Sequence, residues 1–420
     1  MSKHIVAIDI GESKVCASSG FIDSNGELQV HAIASAKCGG VKESKIVDID
    51  KVVIAIERCK KQLENGMEES IEDVYIVIPS SICQYSKNKG VVSISPEVGV
   101  IKEKDIKRVL DAAKLMHVSK GMEVIEAIPN EYYIDGYKCY KDPIGTEALR
   151  FEVDALLVLA EAEALDNFIR SVNKAGMKVK GISLQIVAEA MACVSREQKK
   201  SGVAIIDVGA ETVDICVYKN DKACYNFSMV IGGNNISKDI SLCLKIPYNN
   251  AEDLKIKYGI VIDEDKRNEL IKIKTSYDDI VSIKVGTLSE IIEARVEQIL
   301  QIVKGYLEKN DLYDKIANII LLGGGITQYK SIINISEQIF NMPIEIGMSK
   351  HIGASNSIYT NVVGVLDDVT NSLVKDMNIN NVYDTDHGIG NSKVNEDLDE
   401  NKNNRSGIMN KIRGFFEEFF

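Results

Sequence analysis

The 420-residue chain has no tryptophan, only six prolines and five histidines, and 6% aromatic residues. Its nine cysteines are scattered, without a CxxC pair, and their number is odd. Disulfide scaffolding and structural zinc are therefore not expected, and reduced thiols are the plain reading. Long apolar runs are missing too: nothing reaches the roughly 18–20 residues of a spanning helix. Met1-Ser2-Lys3-His4 leads straight into Ile5-Val6-Ala7-Ile8, without the apolar region and cleavage site of a secretory signal. Positive charge is in deficit, 50 Lys and Arg against 62 Asp and Glu, for a net −12. Such a balance argues against a general nucleic-acid binder, which needs a basic stripe to displace counterions. Neither G-x-x-x-x-G-K-[ST] nor G-x-G-x-x-G occurs, so a P-loop and a dinucleotide fold are unsupported. Five dispersed histidines nominate no catalytic triad.

What is present is an ordinary globular composition, 45% apolar and 27% charged, in a chain long enough for two or more domains. The strongest internal signal is a repeat. Ile5-Val6-Ala7-Ile8-Asp9-Ile10-Gly11, then Glu12-Ser13-Lys14-Val15-Cys16, is echoed by Val203-Ala204-Ile205-Ile206-Asp207-Val208-Gly209, then Ala210-Glu211-Thr212-Val213-Asp214-Ile215-Cys216. Each half reads as strand, tight turn, strand, and the recurrence predicts two related α/β domains facing one another. Between the copies, Val74–Pro79, Gly90–Ser95 and Phe151–Ala160 read as strands, and Lys104–His117 and Ala162–Ala175 as helices. A small α+β insertion at 84–162 fits that run. Further on, Ser289–Asn310 has helical spacing, and the strand-like Asn318–Leu322 enters Gly323-Gly324-Gly325 ahead of a helix-like Tyr329–Phe340. Residues 367–405 are rich in acids and asparagine and poor in large apolar side chains, which predicts a disordered linker.

An Asp at the carboxyl end of a strand sits where α/β sheets bind ligands, and a Gly two positions later lets backbone N–H groups approach phosphate oxygens. Two such turns, at Asp9/Gly11 and Asp207/Gly209, would grip a polyphosphate from both sides. Mg²⁺, keeping its waters, would stand between the phosphates and the carboxylates of Asp9 and Asp207. Gly323, Gly324 and Gly325 would let a base or the α-phosphate reach the backbone. Lys14 reads either as a phosphate contact or as a solvent-facing strand-edge lysine. Glu189 and Glu211 read as general bases or, more simply, as structural carboxylates. Cys16 and Cys216 read as small buried apolar residues.

The paired Asp-x-Gly turns, connecting helix and late Gly-Gly-Gly resemble the actin, sugar-kinase and heat-shock-protein-70 superfamily. Within it, residues 1–366 and the last fifteen are most similar to the FtsA family of bacterial actin-like division proteins. The resemblance implies a two-lobed α/β ATPase fold. Its first-lobe core would be 1–83 and 163–200, with 84–162 as the inserted subdomain. The second-lobe core would be 201–233 and 301–366, with 234–300 as its outer subdomain, followed by linker 367–405 and helix 406–420. Ile182–Ala190 looks like the first connecting helix, with Gln185 where actins carry a water-positioning residue. Ala251-Glu252-Asp253-Leu254-Lys255 is similar to a run whose Glu and Lys contact ribose or adenine, and Gly232-Gly233 precede it. Ser13, Lys14 and Thr212 fall in the two phosphate turns. The implied cofactors are ATP and Mg²⁺, with slow hydrolysis or none. Position 12 departs from the pattern, since the usual small hydroxyl residue is Glu12.

The last segment, 406–420, holds four of the nine phenylalanines in its final six residues. Ile408, Ile412, Phe415, Phe416 and Phe419 fall on one helical face, flanked by Met409 and Phe420, a length and pattern suited to lying in a membrane interface. Docking on its own domain or on a partner groove is the other reading. The resemblance implies a peripheral protein on the cytoplasmic face of the membrane at the division site. It would self-associate into filaments, bind the C-terminal tail of FtsZ, and meet later division proteins through the insertion. A phosphotransferase of the same fold, or an actin-like scaffold for pilus or secretion assembly, stays open; a kinase leaves the Phe-rich segment unexplained.

Overall fold

The computed structural model describes residues 4–95, 99–139, 141–260, 264–274 and 280–384. The expectations for 385–405 and for the amphipathic segment, from Ile408 to Phe420, lie outside the described residues.

Each glycine turn joins two antiparallel strands. Ile5–Ile10 pairs with Lys14–Ile22, and Val203–Val208 pairs with Val213–Lys219. The two leading strands are apolar on both faces and almost wholly buried, as befits strands covered by helices on either side. Around them the chain builds the same five-stranded sheet twice. The first runs Leu28–Lys37, Lys14–Ile22, Ile5–Ile10, Asp73–Ile78, Lys178–Leu184. The second runs Lys222–Met229, Val213–Lys219, Val203–Val208, Asn318–Leu322, Ile344–Ile346. In both, the first three strands are mutually antiparallel and the last two join in parallel. The mixed α/β architecture is that of an actin-like ATPase fold.

Between 83 and 161 a separate antiparallel sheet forms from Cys83–Ser93, Arg150–Glu161, Met122–Ile134 and Tyr137–Cys139. The helix Glu103–Lys114 covers it, burying Val109, Leu110 and Ala113 against Phe151, Val153 and Leu157. The long helix Val285–Lys309 buries Ile292, Val296, Ile299, Leu300, Val303 and Leu307, the 3.6-residue stripe visible in the sequence.

Two expectations need correction. Ile182–Leu184 are not helical: they end the strand Lys178–Leu184, in register with Asp73–Ile78, and the connecting helix is Gln185–Cys193. A short apolar run fits a buried strand and a buried helix equally well, and the partner strand decides. The structure also carries no break at 367. Helix Thr360–Asp384 runs through that point, with Val362, Val363, Val365, Leu366 and Val369 buried in the first-lobe core. Packing of that apolar face outweighs a composition that is unfavourable on average. The helix crosses Gln185–Cys193 at Gly364, where a Cβ would lie 1.9 Å from the carbonyl oxygen of Ala188. No helix among the described residues is long and apolar enough to cross a membrane.

Candidate functional site

The two turns are closed by the same hydrogen bond. Gly11 N donates to Lys14 O at 3.0 Å, and Gly209 N donates to Thr212 O at 2.8 Å. The third glycine junction packs onto the second turn: Gly325 N donates to Val208 O at 2.9 Å, and Gly233 N to Gly209 O at 3.0 Å. Gly323 is held at φ +86°, and a Cβ there would stand 2.1 Å from Asp207 Oδ1 and 2.3 Å from Val208 O. Only glycine satisfies both the left-handed backbone and that approach.

These elements surround a cleft of about 1340 Å³. Asp9, Gly11, Ser13, Lys14, Gln185, Asp207, Gly209, Thr212, Gly233, Glu252, Lys255 and Gly323 to Gly325 all line it. Gly232 does not; it lies behind the wall, packed on the backbone of Gly209 and Ala210. Several side chains are held by neighbours. The Gln185 amide donates to both Asp207 Oδ2 and Glu189 Oε1 at 2.8 Å, and its carbonyl oxygen accepts from Ser80 N. Positioning a water through the amide nitrogen would require it to leave one of those carboxylates. Lys255, almost fully buried, pairs with Glu252 at 2.7 Å and donates to Gly233 O at 3.1 Å. Glu252 also accepts from the Ser237 hydroxyl.

The cleft floor is an acid cluster. Burial pushes the Asp9 carboxyl up to about 6, repulsion from Asp207 adding to it and the Asn361 hydrogen bond opposing it. Asp214 is pushed up to about 7, again by burial first and then by Asp207. Asp207 and Glu189 are raised as well, both chiefly by burial. Among the described residues, Asp207 Oδ1 and Asp214 Oδ1 are buried without a hydrogen-bond partner. Unpaired buried carboxylate oxygens are costly and call for a proton or a cation. Among the described residues, no three His, Cys, Asp or Glu side chains are grouped to hold a metal ion by themselves. That donor set suits Mg²⁺ retained through water and phosphate oxygens, rather than a cage of protein ligands.

The sequence reading missed Asn361, which donates to Asp9 Oδ2 at 3.0 Å from 352 positions away, and no local signal could have found it. Asp214, which fits the second turn in the sequence, was given no role there, and the structure puts it in the cleft lining. Glu12 neither points to solvent nor stands free. Its carboxylate accepts from Ser44 N at 2.8 Å and from Glu211 N at 2.6 Å.

Two family models match: "Cell division protein FtsA" over residues 204–364, and "SHS2 domain inserted in FTSA" over 81–159. The chain is 29% identical to cell division protein FtsA of Borreliella burgdorferi, over 84% of this chain and 86% of that one. It is 26% identical to that of Enterococcus hirae, over 99% of this chain and 98% of the relative. Among solved structures, the PilM–PilN type IV pilus biogenesis complex aligns at TM-score 0.60 and 13% identity, covering 86% of this chain and 96% of that one. MreB 5 of Spiroplasma citri, bound to AMPPNP, aligns at TM-score 0.53 and 16% identity, covering 91% and 99%. Those two likenesses concern the fold. With the two matched segments together exceeding half its length, the chain belongs to the FtsA family of actin-like cell division proteins.

Proposed function

We propose that this protein binds Mg²⁺-ATP between its lobes, self-associates beneath the cell membrane, and ties the FtsZ ring to it. The observation that carries the nucleotide part is the pair of matching glycine turns facing one cleft, with two unpaired carboxylate oxygens at its floor. Turn amides beside Gly11 and Gly209 would take phosphate oxygens, and Asp9 and Asp207 would hold the waters of Mg²⁺. Glu252 and Lys255 would meet the ribose or base, with Gly323 to Gly325 letting the nucleotide lie against the backbone. Bound Mg²⁺ would neutralise phosphate charge that the acid cluster otherwise repels. Gln185, tied to two carboxylates, suits slow turnover or none.

The amphipathic segment 406–420 supports the membrane part, and the alignment to the Enterococcus hirae relative extends over nearly the whole chain. A weak single anchor suits a polymer, because each added subunit rebinds at high effective concentration. FtsZ would dock its tail on the outer part of the second lobe, about 234–300, and later division proteins on the inserted sheet. The deciding experiment is cosedimentation with FtsZ and liposomes, with and without ATP. Lipid-dependent recruitment of FtsZ, lost when residues 407–420 are removed, supports the reading. Unchanged liposome flotation of the truncated chain refutes the anchor.

A further inference from the structure

Three backbone amides and two carboxylates form a clasp across the mouth of the cleft. Glu12, in the first-lobe turn, accepts from Ser44 N at 2.8 Å and from Glu211 N at 2.6 Å, the latter amide belonging to the second-lobe turn. Glu211 returns the contact, its own carboxylate accepting from Glu43 N at 2.7 Å. Glu43 and Ser44 are consecutive non-glycine residues at φ 48° and 60°. They form the tip of the small hairpin Val41–Lys42/Lys45–Ile46. That left-handed pair turns both amides toward the carboxylates, at a backbone cost that L-residues seldom accept.

A carboxylate oxygen on a phosphate-turn amide makes the same charge-assisted bond a phosphate oxygen would make. We propose that Glu12 is a resident anion of the second phosphate turn, so that the cleft discriminates between nucleotides by whether their terminal phosphate must displace it. This rests on the nucleotide reading above and deepens it. A diphosphate would leave the Glu12 contacts in place. A third phosphate that takes the Glu211 amide would have to share it with the Glu12 carboxylate or expel that carboxylate. Expulsion frees Ser44 N along with Glu211 N, so triphosphate binding also loosens the 41–46 hairpin. Glu12 is in this sense a specificity-determining residue. A small hydroxyl side chain at the same position would leave the amide free for phosphate.

The test compares Mg²⁺-bound fluorescent ADP and ATP on the full-length wild-type protein, on Glu12→Ser and on the isosteric Glu12→Gln. The expected result is a wild-type preference for ADP. In both variants, ATP affinity should rise on the order of tenfold relative to ADP, the scale of one charge-assisted hydrogen bond. An unchanged ATP-to-ADP ratio in both variants overturns the proposal. Hydrogen exchange supplies a readout independent of nucleotide: the amides of Ser44 and Glu211 should exchange faster in Glu12→Ser, and equal protection overturns the clasp. If neither nucleotide binds wild type or variants, the nucleotide reading itself fails and takes the selectivity with it, whereas binding with a fixed ratio defeats Glu12 alone.

Discussion

Gly364→Ala tests how tightly the two helices that join the lobes are pressed together. A methyl group there would lie 1.9 Å from Ala188 O, 2.5 Å from Ala188 C and 3.0 Å from Ala188 Cα. Ordinary carbon-to-oxygen approach is about 3.3 Å, so helices Gln185–Cys193 and Thr360–Asp384 must part by roughly 1–1.5 Å. The obstacle is backbone, which cannot rotate away. Overpacking of this kind costs about 1–3 kcal/mol, here toward the upper end, while alanine returns about 1 kcal/mol of helix propensity. The net expectation is about 2 kcal/mol of destabilisation. Gly305→Ala is the matched control: Gly305 is an exposed residue of helix Val285–Lys309, and a Cβ there meets nothing within 4 Å. That variant should gain about 0.5–1 kcal/mol. Far-UV circular dichroism in urea gives both midpoints; tryptophan fluorescence is not an option in this chain. A Gly364→Ala protein as stable as Gly305→Ala would refute the close crossing and the reasoning built on it.

Gly323→Ala should abolish fluorescent-ATP binding, since its methyl would collide with Asp207 Oδ1 and demand a left-handed alanine; near-normal affinity in a titration would count against the site. Asp368 is fully buried with neither oxygen hydrogen-bonded among the described residues, and burial raises its carboxyl well above 3.8, Lys199 opposing and Asp367 adding to the rise. A raised acid pKa means the folded state holds the proton longer, so stability should decline as pH climbs from about 4 toward that raised value. Asp368→Asn should remove the decline and gain on the order of 1–3 kcal/mol at neutral pH, measured by urea unfolding across pH; a loss at neutral pH would overturn this. His351 Nε2 donates to Asp367 Oδ1 at 2.7 Å, and that bond lifts the imidazole pKa above 6.5. The ion pair's contribution is therefore complete below pH 6.5 and disappears as pH rises through the lifted value. Relative to wild type, His351→Gln should lose up to about 1 kcal/mol at acid pH and nothing at alkaline pH, and a pH-independent difference would rule the pairing out.

The duplicated architecture was legible because each leading strand is a continuous apolar run closed by Asp-x-Gly, a pattern that burial between two helical layers selects. The inserted sheet was legible in part, from Gly90–Ser95 and Phe151–Ala160 beside one amphipathic helix, while its strands Met122–Ile134 and Tyr137–Cys139 were not read. The residues predicted for the cleft do converge on it, apart from Gly232, because a repeated turn at the end of a repeated strand can only face one place. What stayed hidden depends on distant partners. Asn361 meets Asp9, and Glu12 meets Ser44 and Glu211, through folding that no window of sequence spans. The helix through Asp368 was masked because its packed face is a minority of an Asn- and Asp-rich stretch. The strand ending at Leu184 was masked because its apolar residues suit either secondary structure.

Helix Thr360–Asp384 begins at the cleft floor, where Asn361 touches Asp9, and spans 25 residues. At 1.5 Å per residue it is a rod about 37 Å long, which crosses Ala188 at Gly364 and stays packed on the first-lobe core as far as Val369. The 15 residues after Val369 prolong it by about 22 Å beyond that buried face. The 36 residues that follow in the sequence, ending in the Phe-rich stretch, are thus joined to the first lobe by a helix rooted at the cleft. The cleft floor and the start of that segment are therefore two ends of one helix, and the orientation of the first lobe sets the point from which the segment departs.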